Sequence, residues 1–200
     1  MFDPNTCLIA GAFDGEIDLL KSNTKLPHIQ ALGIGNLEIA LALFQYKQNF
    51  PKIESVVFLG SSGNYPWYPK PEFGVVNISF VKSLELGPLT GDTKQLPNPK
   101  ETLELSVIAN QYPTVGCNAP SGISLRDLKT IPNHSWDQIG VENLELYGLT
   151  RAATLLGLNV SALLAITNTV GSNGSNDWQK NWRGASNDLQ KRFLQIIEST

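Results

Sequence analysis

Apolar and polar positions follow two periodicities over the first third of the chain, as expected for strands that alternate with helices. Continuous apolar runs of strand length lie at 6–12 and 55–59, with a weaker run at 26–32. The segment 37–48 is predicted to be helical, with one apolar face made by Leu37, Ala40, Leu41 and Phe44. This succession predicts a mostly parallel sheet, because strands joined through helices pair in parallel.

A helix followed by a buried strand is predicted in the C-terminal half. Apolar or small residues recur in steps of three and four over 141–155, and Gly157 is placed to end this helix. The continuous apolar run 160–167 is typical of a parallel strand buried on both faces. Thr167 and Asn168 then stand at the carboxyl end of that strand, which is the edge where α/β sheets bind ligands.

The rest of the chain adds a strand-rich segment and two helices between irregular connections. The strand-rich segment is 75–86, and a helix is predicted at 101–110. Loops are predicted at 65–73, 87–100, 117–124 and 130–140. A C-terminal helix from Ser175 presents a stripe of Trp178, Trp182, Ala185, Leu189, Phe193 and Ile196. With no linker or repeat, we expect one domain over 1–200, a three-layer α/β sandwich whose central mixed, mostly parallel sheet is flanked by helices.

Composition and charge narrow the class of protein. The net charge of -3 argues against a nucleic-acid partner, and 42% hydrophobic residues favour a globular chain. No apolar run reaches membrane-spanning length, and Met1–Phe13 lacks the basic start of a signal peptide. Cys7 and Cys117 are expected to be free thiols, which suits a cytoplasmic protein. Neither His28 nor His134 has metal-like spacing to other ligands, so no metal is expected.

Several residues are candidates for binding or catalysis, although each also has a plain structural interpretation. Gly33-Ile34-Gly35 precedes a helix like a phosphate-binding turn, but it lacks the third glycine of a dinucleotide fingerprint, and a tight turn explains it. The glycine-rich 60–63 follows a strand and can bring backbone N–H groups to a ligand, as many structural turns also do. Glu16 and Glu145, taken singly, are typical of solvated helix charges. No nucleophile elbow for Ser-His-Asp chemistry is present.

Taken in order, four segments resemble the nucleoside phosphorylase/nucleosidase superfamily, above all methylthioadenosine/adenosylhomocysteine nucleosidases and futalosine hydrolases. The segment 9–17 (IAGAFDGEI) resembles the first strand and following helix, with Glu16 at the position of the water-activating glutamate. The segment 33–43 (GIGNLEIALAL) is similar to the family's Gly-x-Gly-Lys turn and helix, with Asn36 where lysine is usual. The segment 56–65 (VVFLGSSGNY) resembles the strand and Gly-Ser/Thr-x-Gly turn that lines the ribose and nucleophile site.

The fourth segment contains two residue pairs of the family. Leu144-Glu145 corresponds to a Met-Glu pair, whose glutamate binds ribose hydroxyls while its apolar neighbour packs against the sugar. Thr167-Asn168 corresponds to a Ser-Asp pair, whose aspartate serves the purine N7. The resemblance therefore implies cleavage of the N-glycosidic bond of a purine nucleoside. The implied catalytic residues are Glu16 and Asn168, and the implied substrate-binding residues are Ser62, Gly63, Ile123, Leu144, Glu145 and Thr167.

The resemblance also implies a role for each group. Glu145 would position the ribose by accepting hydrogen bonds from its hydroxyls. Asn168 would donate to N7 as negative charge develops on the departing base. Glu16 would hold or deprotonate an attacking water. The base would stack on Ile123 or on the aromatic loop, which contains Tyr65, Trp67 and Tyr68.

Asn168 is a departure from the nucleosidase pattern. An amide cannot act as a general acid, although it can still donate a hydrogen bond to N7. The Thr-Asn pair is similar to that of the trimeric purine nucleoside phosphorylases, whose asparagine favours 6-oxopurines. We therefore predict a preference for hypoxanthine- or guanine-type bases over adenine.

Three functions stay open. Phosphorylases of this family hold phosphate with arginines from the first helix and an early strand, whereas the arginines here all lie in the C-terminal half. They are Arg126, Arg151, Arg183 and Arg192. We therefore favour hydrolysis by water, without a cofactor. Phosphorolysis with phosphate as co-substrate is the alternative, supported by the resemblance of 172–181 to phosphorylase tails. The third is a nucleoside-binding protein without catalysis, which the asparagine at position 168 also fits.

The expected partners follow from the same resemblance. They are a purine nucleoside or purine base, as in purine salvage, with no nucleic acid and no membrane. A homodimer or higher homo-oligomer is expected, because relatives place a neighbouring subunit over the 5′ end of the sugar. The interval between Glu16 and Gly33 is too short for a hairpin that contributes to dimer contacts in relatives, which leaves the kind of oligomer open.

Overall fold

The computed structural model describes residues 3–72, 74–94 and 102–198. Its strands are β1 Cys7–Gly11, β2 Ile29–Ala31, β3 Ser55–Asn64, β4 Val75–Lys82, β5 Leu103–Glu104, β6 Thr114–Asn118, β7 Ile139–Glu142 and β8 Asn159–Thr169. Its helices are α1 Asn36–Asn49, α2 Gly87–Thr90, α3 Leu146–Leu155 and α4 Gly174–Glu198. Short 3₁₀ helices span Asp14–Glu16, Leu20–Ser22 and His134–Trp136.

The strands form one mixed sheet, and part of it closes into a barrel. β3 pairs in parallel with β8 and antiparallel with β7, and β6 pairs in parallel with both β7 and β4. Since β4 also pairs antiparallel with β8, the circuit β3-β7-β6-β4-β8 returns to β3. β1 and β2 extend the sheet in parallel beyond β3, and β5 lies antiparallel to β4. The predicted α/β class and mixed, mostly parallel sheet are confirmed, whereas the closure was not predicted.

The long strand β3 is buried on both faces. Val56 and Phe58 face a core into which α1 and α3 pack, whereas Val57 and Leu59 face a second core beneath α4. Alternate residues of a strand point to opposite faces, so each core receives every second side chain. β8 shares this environment, which explains why both strands are continuous apolar runs and not alternating ones.

The apolar face of α1 was predicted wrongly. Ile39 and Leu43 are buried against the barrel, whereas Leu37 and Leu41 are 69% and 57% exposed. The helix carries apolar residues on nearly every side, so their spacing alone does not determine which face packs inward. The Leu37 side of α1 is therefore an apolar surface.

The predicted helix at 141–155 begins only at Leu146. Val141 and Glu142 belong to β7, where they pair with Asn64 and Gly63 of β3. This pairing between distant segments overrides a helical spacing that is visible only locally. The predicted end of the helix is confirmed, because Gly157 takes a φ of 68°.

Other boundaries also differ from the predictions. The segment 60–64 continues β3 and is not a turn, and Cys117 lies in β6 and not in a loop. The predicted helix at 101–110 is wrong for its described residues, because Leu103 pairs with β4 and Ser106 bridges to β8. Residues 95–101 lie outside the described part of the chain. The C-terminal helix is confirmed as α4, which buries Leu189, Phe193 and Ile196.

Two expectations concern the whole chain. Cys7 and Cys117 are both buried and free, as predicted. Within 3–72, 74–94 and 102–198, no helix is both long enough and apolar enough to cross a membrane.

Candidate active site

A cavity of about 600 Å³ opens where β3, β7 and β8 end and where α4 begins. Seven of the eight predicted site residues line it, namely Glu16, Ser62, Gly63, Ile123, Leu144, Glu145 and Asn168. The eighth, Thr167, is buried directly behind Asn168. Residues from five separate segments therefore meet in one place, as the family resemblance implied.

Glu16 lies at the inner wall of the cavity and is only 3% exposed. Its Oε2 accepts from the backbone N–H of Ala12 at 2.9 Å. Its Oε1 accepts from both the backbone N–H and the hydroxyl of Ser61, at 2.9 and 3.0 Å. Burial raises the pKa of Glu16 to about 7, and the nearby charge of Glu145 adds to the rise. The hydrogen bonds from Ala12 and Ser61 lower this pKa and only partly offset the rise. The carboxylate is thus held rigidly and titrates near neutral pH.

Glu145 is the second buried carboxylate of the cavity, at the N-terminus of α3. Its Oε1 accepts from the backbone N–H of Gly35 at 3.0 Å, and its Oε2 accepts from Nδ2 of Asn143 at 2.8 Å. Burial raises the pKa of Glu145, and these two donors partly offset the rise. The glycine turn at 33–35 therefore helps to orient a carboxylate.

Asn143 joins the two carboxylates. Its Nδ2 also donates to the backbone oxygen of Ser61 at 3.1 Å, and the N–H and hydroxyl of that serine donate to Glu16. Its Oδ1 accepts from the backbone N–H groups of Glu145 and Leu146, which satisfies otherwise unpaired donors at the start of α3. Asn143 was missed in the sequence, where it looks like an ordinary turn residue.

Asn168 presents an amide N–H group to the cavity. The Thr167 hydroxyl, which has one hydrogen to donate, lies 2.8 Å from Oδ1 of Asn168 and 3.1 Å from the backbone oxygen of Ser62. The Nδ2 of Asn168 donates to the backbone oxygen of Thr169 at 3.1 Å. A Cβ atom at Gly63 or at Gly174 would stand 2.9 or 3.0 Å from this nitrogen. The two glycines therefore make room for the amide, and its second N–H hydrogen remains for a ligand.

The remaining predicted residues line the wall and the rim. Ser62 is buried, and its hydroxyl donates to the backbone oxygen of Ala165 at 3.4 Å, so it faces the strand as well as the cavity. Leu144 is half-buried beside Glu145, and Ile123 is exposed at the rim. An apolar rim of this kind suits a flat ring.

Glu142 is a third carboxylate of the cavity that sequence reasoning missed. It accepts hydrogen bonds from the Tyr65 hydroxyl at 2.6 Å and from the N–H and hydroxyl of Ser124 at 3.2 and 2.6 Å. Burial raises its pKa. Because these bonds attach the 123–124 segment to β7, Glu142 anchors one rim of the cavity.

Within the described part of the aromatic loop, Tyr65, Trp67 and Tyr68 do not line the cavity, contrary to the expectation that these rings stack on the base. Tyr65 is fully buried, stacks on Trp67 at 4.6 Å and contacts Trp136 edge to face. Phe13 and Trp178 are the aromatic residues that line the cavity instead. The sequence predicts Trp178 only as part of a core-facing helical stripe.

Asn36, which stands where the family usually has lysine, connects neighbouring elements through its side chain. Its Oδ1 accepts from the backbone N–H of Gly148 at 2.7 Å, and its Nδ2 donates to the backbone oxygens of Ala119 and Pro120 at 3.0 and 3.3 Å. The side chain therefore joins α1 to α3 and to the end of β6.

The charge of the cavity is negative. Among the described residues that line it, none is lysine or arginine, whereas Glu16, Glu142 and Glu145 are carboxylic acids. Within the described ranges, no group of three or more histidine, cysteine or acidic side chains is arranged to hold a metal ion. Such a surface favours a ligand that brings hydrogen-bond donors or develops positive charge.

Comparison with solved structures shows that the chain shares the fold of methylthioadenosine/adenosylhomocysteine nucleosidases and of a futalosine hydrolase, which confirms the expected fold. More particularly, the chain is similar to 5′-methylthioadenosine/S-adenosylhomocysteine nucleosidase from Neisseria meningitidis, with a TM-score of 0.79 and 12% identity. That match covers 98% of this chain and 100% of the other chain.

Two further structures agree with this assignment of the fold. The Streptococcus pneumoniae methylthioadenosine/adenosylhomocysteine nucleosidase has a TM-score of 0.78 at 13% identity, covering 98% of this chain and 100% of that chain. The futalosine hydrolase of Helicobacter pylori has a TM-score of 0.76 at 11% identity, covering 97% of both chains. No protein-family model and no curated protein sequence matches this chain.

Proposed function

We propose that this protein is a purine nucleosidase, which cleaves an N-glycosidic bond with water as nucleophile. The observation that carries the proposal is the placement of Glu16 and Glu145 in one cavity, both buried and joined through Ser61 and Asn143. The fold supports it, since the similar structures are nucleosidases and a futalosine hydrolase. Two of them are complexes with methylthio-immucillin-A and with 8-aminoadenine.

The two carboxylates have different tasks in this reaction. Glu145 accepts hydrogen bonds from the ribose hydroxyls and fixes the sugar. The oxygen of a water molecule bonds to C1′, and Glu16 takes its proton, for which a pKa of about 7 is well matched. The bond from C1′ to the base nitrogen breaks, and its electron pair goes to the base. Solvent supplies the proton that the base needs, because the Asn168 amide donates a hydrogen bond but no proton.

Asn168 supports the preference for 6-oxopurines. Its Nδ2 lies beside the lining glycines Gly63 and Gly174 and keeps one N–H hydrogen beyond its bond to Thr169, so the amide presents N–H to the ligand. An N–H group pairs with N7 and with a 6-oxo group, which are acceptors, but it opposes the 6-amino group of adenine, which is a donor. We infer that hypoxanthine and guanine nucleosides react better than adenine nucleosides.

Water is favoured over phosphate by the charge of the site. The described lining residues supply three carboxylic acids and no cationic side chain, so a phosphate ion would be repelled at every ionised carboxylate. The hydroxyls and N–H groups of Ser61 and Ser62 are the groups that a phosphate would need, and Ser61 already donates twice to Glu16. Phosphorolysis is therefore the second candidate.

We also propose that the protein forms a homo-oligomer through the Leu37 side of α1. Ile34, which is 63% exposed and lines the cavity, continues the exposed apolar surface made by Leu37 and Leu41. A second copy on this surface would cover apolar side chains and the cavity mouth together. Light scattering should show a smaller particle for Leu41→Glu and an unchanged one for the control Leu89→Glu on α2. A monomeric wild type contradicts the proposal.

The test of the function is release of free base from inosine, guanosine, adenosine, methylthioadenosine and futalosine, each with and without phosphate. Release without phosphate is expected, fastest for the 6-oxopurines, and it should be lost in Glu16→Gln but kept in the exposed control Glu54→Gln. Release only with phosphate would establish the phosphorylase. A rise in melting temperature with nucleoside and no release of base would establish a binding protein without catalysis.

A further inference from the structure

A chain of hydrogen bonds runs from the C-terminal helix to Glu16. The indole Nε1–H of Trp178 donates to Oγ of Ser61 at 3.1 Å. The Ser61 hydroxyl donates in turn to Oε1 of Glu16 at 3.0 Å. All three residues line the cavity. The first link joins residues 117 positions apart in the chain, so it depends on the packing of α4 against β3.

The direction of this chain is fixed by the groups themselves. An indole N–H can only donate, and a serine hydroxyl has one hydrogen. With Trp178 filling an acceptor position of Ser61 Oγ, the hydroxyl hydrogen is left to point at Glu16, whose carboxylate accepts it. Without the indole N–H, the hydroxyl is free to rotate towards a water molecule in the cavity.

The indole ring is held in place by other aromatic rings. Trp178 stacks on Trp182 with ring centroids 5.7 Å apart and planes at 16°. Phe13 contacts both rings edge to face, at 6.3 Å from Trp178 and 5.1 Å from Trp182. Trp182 has the same indole ring and similar aromatic neighbours, but it does not line the cavity and is not part of the hydrogen-bond series from Trp178 through Ser61 to Glu16. It therefore provides a matched control.

We propose that Trp178 is a positioning residue, which acts on Glu16 through Ser61 and holds that carboxylate in its ionised, proton-accepting form. The proposal rests on the proposed nucleosidase function for its kinetic consequence. Its structural part, the control of Glu16 by Trp178, does not require that any nucleoside is cleaved.

The charged surroundings of Glu16 make this donor important. Burial raises the pKa of Glu16, the charge of Glu145 at the start of α3 adds to this rise, and Glu142 from β7 is a further acid of the same cavity. Among the described lining residues, α4 contributes no charged side chain and none of the other elements contributes a cation. The hydrogen bonds from Ala12 and Ser61 are thus what favours the ionised form, and Trp178 secures one of them.

The first experiment measures the pKa of Glu16 directly. The side-chain carboxyl ¹³C resonance is followed by NMR through a pH titration, without substrate, and is assigned by its loss in Glu16→Gln. Trp178→Phe keeps an aromatic ring at this position but removes the indole N–H, and it should raise the pKa of Glu16 by about one unit. Trp182→Phe should leave it unchanged. An unchanged pKa in Trp178→Phe, or an equal rise in Trp182→Phe, overturns the proposal.

A second variant keeps the test decisive if Trp178→Phe does not fold. Ser61→Ala removes the hydroxyl that passes the effect on, so it should raise the pKa of Glu16 at least as much. Adding Trp178→Phe to Ser61→Ala should produce no further rise, because the indole then has no route to the carboxylate. Additive rises would mean that Trp178 acts by another route, and they would overturn the proposal.

The kinetic readout separates this inference from the proposed function. For base release, the pH at which kcat/KM reaches half its maximum should move up by the same one unit in Trp178→Phe, while the plateau at high pH stays near that of the wild type. If no nucleoside is cleaved but the pKa of Glu16 moves as expected, the function fails and the role of Trp178 stands. If base is released but the pKa and the pH profile do not move, the role of Trp178 fails.

Discussion

Asn143 holds Glu145 from two sides. Its Nδ2 donates to Oε2 of Glu145 at 2.8 Å, and its Oδ1 accepts from the backbone N–H of the same residue at 3.0 Å. The second hydrogen of Nδ2 goes to the backbone oxygen of Ser61 on β3, 3.1 Å away. The carboxylate is therefore oriented before any ligand binds, as a residue that positions ribose requires.

The ribose role of Glu145 can be tested with a pair of substrates. Glu145→Gln replaces one acceptor oxygen by a donor, so it should lower kcat/KM for inosine about 100-fold or more. It should lower kcat/KM for 2′,3′-dideoxyinosine much less, because that nucleoside lacks the hydroxyls that Glu145 would bind. Measuring kcat/KM for both nucleosides in both proteins gives the answer. Equal losses for the two nucleosides would show that Glu145 does not contact the ribose hydroxyls.

The elements with a strong local pattern were the ones that sequence predicted well. β1, β3, β8 and α4 have apolar runs or stripes long enough to identify them, and the structure contains all four. The failures come from pairings between distant segments. Val141 has a helical spacing to the residues that follow it, yet it pairs with Asn64 and with Cys117 in the sheet. The closure of the barrel depends on such pairings and has no local signature.

The site residues also separate into those that the sequence predicts from a local pattern and those whose roles depend on contacts between distant segments. Glu16, Glu145 and Asn168 were predicted because each stands in a segment that resembles a known family. Asn143 and Trp178 were missed because their roles come from contacts with Ser61, which lies 82 and 117 residues away in sequence. A side chain whose function is to hold another side chain has no signal of its own.

The stability of the protein should depend on pH through Glu16. Burial raises the pKa of Glu16 from 4.5 to about 7, so the native state binds this proton more tightly than the unfolded chain does. The free energy of unfolding therefore falls as the pH rises between these values, by about 3 kcal/mol from this group. Because Glu16→Gln stays neutral, its stability relative to the wild type should rise by that amount over the same window.

Urea unfolding of both proteins between about pH 4 and pH 8 measures this difference. The exposed Glu104→Gln is the control, and its difference from the wild type should stay constant across the window. A constant difference for Glu16→Gln as well would mean that Glu16 ionises in the native protein as it does in the unfolded chain.

The identity of residue 168 should set the preferred base. Asn168→Asp replaces the amide donor by a carboxylate, which accepts from the 6-amino group of adenine and repels a 6-oxo group. The ratio of kcat/KM for adenosine to that for inosine should therefore rise about tenfold or more. Asn176→Asp, a nearby exposed amide of α4, should leave the ratio unchanged. If the ratio does not change in Asn168→Asp, the side chain of residue 168 does not determine the preferred base.

Two glycines in helices offer a matched test of how closely α1 approaches α3. A Cβ atom at Gly148 would stand 2.0 Å from the backbone oxygen of Asn36, whereas a Cβ atom at Gly184 would meet nothing within 4 Å. Gly148→Ala must push the two helices apart, so it should lower the free energy of unfolding by about 1–3 kcal/mol. Gly184→Ala should raise it by about 0.5–1 kcal/mol, because alanine favours a helix and no contact opposes it. Denaturant unfolding of the two variants measures both effects on stability. Gly148→Ala should also reduce base release, because the shift of α1 would carry the backbone N–H of Gly35 away from Glu145. Equal stabilities for the two variants would show that the helices separate without cost.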